Sequence, residues 1–107
     1  KKTFLQIMDE CWDEVSKISS SGKPVAILEW GVIDYPTPSD KAKWVNEAFN
    51  SIKPGGKYFP KIKAMSCWHS SFGKTDLKID SSTEALTAYR KCVSDSIFLS
   101  EPYFKTN

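Results

Sequence analysis

The chain has 107 residues, of which 40% are hydrophobic and 13% aromatic, which is enough apolar material for one core and too little length for two. Fifteen Lys and Arg residues and thirteen Asp and Glu residues give a net charge of +2, and residues of the two signs are interspersed along the chain. This balance argues against nucleic acid or an acidic membrane as an obligatory partner, and no apolar run approaches the roughly 20 residues that span a bilayer. No signal-peptide pattern is visible in the sequence given.

The first predicted element is an amphipathic helix. Apolar residues recur every three or four positions, with Asp, Glu and Lys between them. They are Phe4, Ile7, Met8, Cys11, Trp12, Val15 and Ile18. Residues 19–22, three serines and a glycine, predict its end.

Residues 25–30 form a short apolar run with β-branched members and no polar alternation. This pattern predicts a strand that is covered on both faces, as in a parallel sheet. A proline-containing loop follows, and we expect Ser39 or Asp40 to cap a second helix through its side-chain oxygen. The predicted buried stripe of that helix is Trp44, Val45, Ala48, Phe49 and Ile52.

The second half of the chain predicts a further strand and a further helix. Residues 62–68 are the second strand candidate, and residues 69–80 predict a polar, turn-rich loop. Ser81 and Glu84 have the spacing of a capping box at the start of a third helix. Its predicted apolar face is Ala85, Leu86, Tyr89, Cys92 and Val93. The aromatic tail, residues 97–104, is expected to pack back on the core.

The order helix, strand, helix, strand, helix predicts an α/β fold with two parallel strands joined by a right-handed crossover helix. Two such strands leave two open sheet edges, which invite pairing with further strands. We therefore expect either more sheet elsewhere in a longer chain or association of several copies of this chain.

The three cysteines fit neither a disulfide framework nor a paired zinc or redox motif, because their number is odd and their spacing wide. Cys11 and Cys92 fall on apolar helical stripes and are interpreted as core residues. With a single histidine, the sequence lacks the set of Cys and His ligands that a zinc site needs. No metal site is predicted.

Candidate functional residues lie at the carboxyl ends of the strands, where parallel α/β proteins place their sites. Glu29 and Trp30 end the first strand, and Trp68 and His69 end the second. A glutamate inside an apolar strand is costly to bury, so it is either a functional carboxylate or one satisfied by a neighbouring polar group. Trp68 is either a core residue or a platform for a sugar ring. A Cys67–His69 thiol–imidazole pair is the weaker interpretation, and a partly exposed histidine is preferred.

Several segments together resemble one enzyme family. Residues 23–31 (KPVAILEWG) resemble the penultimate strand of glycosidases that fold as eightfold β/α barrels, in which this stretch holds the nucleophile. Residues 41–45 (KAKWV) resemble the start of the next helix in glycoside hydrolase family 26, the mannanase-containing family, and residues 59–64 (FPKIKA) its entry to the last strand. Residues 76–82 (DLKIDSS) and 84–90 (EALTAYR) are similar to its DWRIDSS and EALxAYR segments.

The chain also departs from this family. Leu77 stands where the family usually has Trp, Lys78 replaces a common Arg, and residues 68–72 differ from the usual WFN continuation. These departures concern contacts with substrate more than the fold.

The resemblance implies that residues 1–107 are a single segment, the C-terminal quarter to third of a (β/α)8 barrel, with its last two strands. Glu29 would be the nucleophile of a retaining mechanism. Trp68 would form the base of the sugar-binding site, and Trp30, Tyr35 and His69 would be further sugar contacts. In this family the general acid is a glutamate on strand four, which this chain lacks, so we expect the isolated chain to hydrolyse nothing.

The expected partners are a β-linked polysaccharide or oligosaccharide such as β-mannan, and either the remainder of the barrel or further copies of the chain. The resemblance implies an extracellular protein, and this chemistry needs no cofactor. The alternative hypothesis is a non-catalytic remnant that binds carbohydrate or has a structural role, using Trp30, Tyr35 and Trp68 as stacking platforms.

Overall fold

The computed structural model describes residues 2–18 and 22–98. Within these ranges, the helices and strands in chain order are α1 (Phe4–Ile18), β1 (Val25–Trp30), α2 (Pro38–Ile52), β2 (Ile62–Cys67), β3 (Ser71–Phe72), β4 (Thr75–Asp76) and α3 (Thr83–Val93). The predicted α/β class and the predicted order of long elements are confirmed. The short antiparallel hairpin of β3 and β4 is new, since that region was predicted to be loop.

β1 and β2 pair in parallel, as predicted, and the chain crosses from one to the other through α2. Val25 pairs with Ile62 and Trp30 with Cys67, so the carboxyl ends of the two strands lie side by side. No described helix is long and apolar enough to cross a membrane.

The core lies between this sheet and the helices, and α2 contributes half of its buried residues. All five residues of the predicted α2 stripe are buried, which confirms that prediction. The buried core cluster is Phe4, Trp30, Trp44, Val45, Ala48, Phe49, Ile52, Tyr58, Ile62 and Ala88. Full burial of each large apolar side chain stabilises the fold by about 1.5–3 kcal/mol, so this cluster dominates the stability of the chain.

The end of the described chain packs on this core. The ring of Phe98 meets Phe49 edge-on, with centroids 5.2 Å apart, and Tyr89 contacts Phe49 in the same way at 5.9 Å. Ile97 is 43% exposed. The predicted return of the aromatic tail is thus confirmed for Phe98, and the rest of the tail lies outside the described residues.

Both predicted helix caps are wrong by one to three residues. Thr37, rather than Ser39 or Asp40, caps α2: its hydroxyl accepts a hydrogen bond from the Asp40 N–H, and the Asp40 carboxylate accepts one from the Thr37 N–H. Ser82, rather than Ser81, caps α3 by accepting from the Ala85 N–H at 3.1 Å. Each true cap stands beside other good cap formers, and propensity alone does not separate them.

Two expectations about burial also fail. β1 was predicted to be covered on both faces, but Leu28 is 77% exposed, and Ala26 and Glu29 are exposed as well. Cys11 was predicted to be a core residue, but it is exposed, whereas Cys92 is half-buried against the core. In both places the described chain supplies no element to cover the apolar side chains.

The turn after α2 explains the glycine pair that follows Pro54. Gly55 has a φ of +91°, a conformation that side chains with a Cβ rarely adopt. Gly56 lies so close to the last turn of α2 that a Cβ there would overlap the carbonyl groups of Asn50 and Ser51. Only glycine therefore fits at position 56, and the close turn returns the chain toward β2.

Candidate functional site

β1 contains one extra residue just before its carboxyl end. Ile27 pairs with Met65 and Trp30 with Cys67, so β1 advances three residues where β2 advances two. A bulge of this kind changes the side of the sheet to which the following side chains point. Leu28 and Glu29 are both exposed, and Trp30 is buried again. The bulge thus presents the Glu29 carboxylate to solvent at the carboxyl end of β1.

Trp30 is placed in the core. Its side chain is 7% exposed and is stacked on Trp44, with ring centroids 5.8 Å apart. Phe49 meets it edge-on at 5.4 Å. The predicted role of Trp30 as a stacking platform for sugar therefore gives way to a role in packing.

The loop after β2 is joined to the end of β1. The Trp68 N–H donates to the Trp30 carbonyl at 2.8 Å. The Leu77 side chain packs beside Gly31, since a Cβ atom at position 31 would lie only 3.6 Å from the Leu77 Cβ. Trp68 is 39% exposed. Glu29 and Trp68 thus stand at the same end of the sheet, as the order of elements predicted.

His69 is used within this loop. Its Nδ1 accepts a hydrogen bond from the Ile79 N–H at 3.1 Å, and its Nε2 lies 3.8 Å from an oxygen of Asp80. Between these two residues, the Leu77 N–H donates to the Ser70 carbonyl at 3.0 Å, so the loop from residue 69 to residue 79 is closed by two hydrogen bonds. The side chain predicted to contact substrate thus has a structural contact that holds the two ends of the loop together.

Lys41 is an important residue that sequence reasoning missed. It is 1% exposed, and its Nζ donates to the Lys78 carbonyl at 2.7 Å and to the Ser81 hydroxyl at 2.6 Å. Nearby, the Ser82 hydroxyl donates to Asp34 in the loop after β1 at 3.1 Å. These contacts fix the β2–α3 loop to α2 and to the β1–α2 loop.

A signal for Lys41 was present in the sequence. It lies three, four and seven residues before Trp44, Val45 and Ala48, so it occupies the buried stripe of α2. A lysine on an apolar stripe implies buried partners for its ammonium group.

The Cys67–His69 pair does not have the properties of an activated thiol. Burial raises the pKa of the Cys67 thiol, and the nearby charge of Lys41 offsets only part of this effect. A nucleophilic cysteine needs a lowered pKa and a base that is free to accept its proton. The Nδ1 atom of His69 is already engaged by Ile79, so the interpretation of His69 as a partly exposed, non-catalytic side chain is favoured.

The loop carboxylates nearest in sequence to the strand ends have structural partners. Asp34 accepts from Ser82, and Asp76 accepts from the Lys78 N–H at 3.0 Å. Tyr35 is 59% exposed and lines a cavity of about 300 Å³ that also includes Trp44 and Glu47.

The chain is similar in sequence to a curated protein. No protein-family profile matches the chain. The chain is 32% identical over 92 residues to Endoglucanase H of Acetivibrio thermocellus. The chain is therefore similar to part of a glycosidase. The alignment covers 86% of this chain but only 9% of Endoglucanase H, so the chain spans a small part of the length of that relative.

Proposed function

We propose that the chain is the C-terminal quarter to third of a retaining β-glycanase barrel of the family 26 type, with Glu29 as its nucleophile. The observation that carries this proposal is the position of Glu29. It is an exposed carboxylate on a bulge at the carboxyl end of a parallel strand, in a chain similar to Endoglucanase H. Bulges are frequent at the rims of barrels and beside active sites, where they redirect a side chain.

The chemistry of a retaining glycosidase requires two carboxyl groups. A Glu29 oxygen attacks the anomeric carbon and forms a glycosyl ester, while a second carboxylic acid protonates the leaving oxygen. That second group stands roughly 5–5.5 Å from the nucleophile and later removes a proton from the water that cleaves the ester. Asp34 and Asp76 are held by loop contacts, and we assign the acid to a segment of a longer polypeptide.

The sheet supports the same assignment. β1 and β2 form a two-stranded parallel sheet, and Leu28 on its open face is 77% exposed. Purely parallel sheets occur almost only where both faces are covered. Further strands and their side chains would cover this face and would also pair with the outer edges of β1 and β2.

The proposed substrate is a β-mannan or a related β-linked polysaccharide, and the protein is proposed to act outside the cell. The exposed indole of Trp68 lies at the same end of the sheet as Glu29 and offers a flat apolar face to a sugar ring. No cofactor is required for this reaction, since both proton transfer and covalent catalysis are performed by carboxyl groups.

Hydrolysis assays with β-mannan and mixed-linkage β-glucan test the proposal on two proteins. The 107-residue chain is expected to release no reducing sugar, and a longer polypeptide that supplies the missing strands is expected to be active. In the longer protein, Glu29→Ala should lower kcat by at least about 10⁴-fold, because the covalent step loses its nucleophile. Added azide should restore turnover of an activated glycoside by occupying the space of the lost carboxylate.

A matched control is Glu84→Ala, which removes an exposed glutamate on α3 and should leave kcat within a factor of two. If Glu29→Ala retains the activity of the longer protein, the nucleophile assignment is wrong. If the 107-residue chain alone hydrolyses either polysaccharide and its Glu29→Ala variant does not, the assignment of the acid to a missing segment is wrong.

A second candidate function is non-catalytic carbohydrate binding, which the exposure of Trp68 and Tyr35 favours. Titration of the chain with manno-oligosaccharides should then change tryptophan fluorescence, and Trp68→Ala should abolish the change. Trp30 and Trp44 are buried and provide a constant background. Light scattering on the same sample tests self-association, because a 12.1 kDa monomer would contradict a barrel rebuilt from several copies.

A further inference from the structure

The loop between β2 and α3 is closed at its base by a side chain. The hairpin pairs Ser71 with Asp76 and Phe72 with Thr75, and the Leu77 N–H then bonds to the Ser70 carbonyl. The next bond toward the base runs from the Ile79 N–H to Nδ1 of His69 at 3.1 Å. The imidazole thus stands where a backbone carbonyl would otherwise accept.

This contact requires one form of the ring. Nδ1 accepts a hydrogen bond only when it carries no proton, so the ring in this arrangement is neutral and its proton is on Nε2. Nε2 points toward Asp80, whose nearest carboxylate oxygen is 3.8 Å away. The His69 and Asp80 side chains are 51% and 53% exposed, so a proton from solvent reaches the ring without any opening of the fold.

We propose that His69 is a positioning residue whose neutral Nε2–H form closes the loop of residues 69–79, and that protonation of the ring opens this closure. A proton taken from solvent would bind to Nδ1 and turn it from an acceptor into a donor. Two donors, Nδ1–H and the Ile79 N–H, then face each other, and the hydrogen bond is lost. No other bond is formed or broken.

The charged groups around the ring limit the change to the base of the loop. Asp80 attracts the protonated ring, but its exposed position makes that attraction weak. Lys41 donates to the Lys78 carbonyl and to the Ser81 hydroxyl, and Asp76 accepts from the Lys78 N–H. None of these three hydrogen bonds involves the imidazole. Protonation should therefore loosen residues 69 and 79 while Lys78 and Ser81 stay attached to α2.

The loop that His69 closes lies beside the proposed nucleophile, and here the inference rests on the proposed function. Trp68 directly precedes His69, and Leu77 packs beside Gly31, two residues after Glu29. A loosened loop changes the position of both side chains at the rim of the site. His69 thus sets the shape of the rim without touching the reacting atoms.

Nuclear magnetic resonance on the 107-residue chain tests the inference without any enzymatic assay. The chain contains one histidine, so its imidazole signals need no assignment by mutation. At pH 8 the ring nitrogen shifts should report the Nε2–H tautomer, and the Ile79 amide should be protected from exchange. At pH 5 that protection, corrected for intrinsic exchange, should be about tenfold lower than at pH 8, because the protonated ring cannot accept from the Ile79 N–H.

Two variants separate the acceptor from the charge. In His69→Asn the amide oxygen takes the place of Nδ1 but does not titrate, so Ile79 protection should remain and should not change with pH. In His69→Ala the protection should be low at both pH values. Asp80→Asn is the control for the neighbouring charge, and it should keep the pH response.

An Nδ1–H tautomer at pH 8, or equal Ile79 protection at pH 8 and pH 5 in the unmodified chain, would overturn the inference. So would a pH response that persists in His69→Asn. The tautomer and the Ile79 protection are both measured on the unmodified chain, so the test remains decisive even if a variant fails to fold. Absence of glycanase activity in the longer protein would refute the proposed function and would leave these results unchanged.

Discussion

The two faces of the β1–β2 sheet both carry large apolar side chains but have opposite surroundings. On one face, Trp30 and Ile62 are 7% and 3% exposed, and the helices cover them. On the other face, Leu28 is 77% exposed. The apolar run of residues 25–30 is thus suited to burial on both sides, but the described chain covers one. The contrast indicates that the sequence is adapted to neighbours beyond those that residues 2–18 and 22–98 supply.

The largest effect should come from truncating a side chain on the covered face. Trp30→Ala removes a ring packed by Trp44 and Phe49, and we expect it to lower the free energy of unfolding by about 3–5 kcal/mol. Leu28→Ala is the matched control and should change it by less than about 0.5 kcal/mol. Urea denaturation of the 107-residue chain measures both values.

The same pair of variants sharpens the comparison in a longer polypeptide. If further strands cover the open face, Leu28→Ala there should cost about 2–5 kcal/mol, as for a buried leucine. An unchanged small effect of Leu28→Ala in the longer protein would show that the open face stays open.

The covered face was the part of the fold that the sequence predicted well. Periodicity located all three long helices and both long strands, and the buried stripe of α2 was correct at every position. Such patterns are predictable because a helix or strand that buries one face must repeat its apolar residues at a fixed interval. Cys11 lies on such a stripe but on a part of α1 that no described element covers.

The candidate site was predicted less well, for reasons that are local. Regular alternation would put Leu28 and Trp30 on the same side of the sheet. One extra residue in β1 puts them on opposite sides, and no composition signal marks it. The β3–β4 hairpin has only two residues in each strand, too few for a periodic pattern, and Gly73 lies in its turn with a φ of +57°. His69 accepts a hydrogen bond from the backbone amide of Ile79, ten residues away, and no side-chain motif reveals such a contact.

The second prediction concerns the buried lysine that joins the covered face to the loop after β2. Lys41→Met removes the donor to the Lys78 carbonyl and the Ser81 hydroxyl, and should lower the free energy of unfolding by about 1–3 kcal/mol. Lys43→Met changes an exposed lysine on the same helix and should stay within about 0.5 kcal/mol. Equal effects of the two variants in urea denaturation would mean that the Lys41 contacts contribute nothing specific.

The third prediction concerns the attachment of α1 to the core. The Tyr58 hydroxyl and the Lys57 ammonium both donate to Asp9 at 2.6 Å, and Tyr58 is 1% exposed. Tyr58→Phe should lower the free energy of unfolding by about 0.5–1.5 kcal/mol at neutral pH, the usual net value of one hydrogen bond.

The pH dependence of this attachment has a definite sign. The hydrogen bond from Lys57, and then that from Tyr58, holds the pKa of Asp9 below its ordinary value of 3.8. The stabilisation is therefore complete above pH 3.8 and is lost as the pH falls through the lower, folded-state pKa. Asp9→Asn should be less stable than the unmodified chain at pH 7, and the difference should shrink as the pH falls below 3.8. A difference that stays constant throughout the acid range would contradict this assignment.

The smallest expected effect is a difference in the rates at which the three thiols react, and it involves no change in stability. Cys11 is exposed, whereas burial raises the pKa of Cys67 and that of Cys92, with nearby lysines offsetting part of each rise. Since the thiolate is the reacting form, a disulfide reagent at pH 8 should modify one thiol at least about tenfold faster than the other two. Cys11→Ser should remove the fast phase and leave the slow ones. Equal rates for all three thiols would mean that solvent reaches Cys67 and Cys92 as readily as Cys11. The structural distinction between covered and open surfaces would then not hold for these side chains.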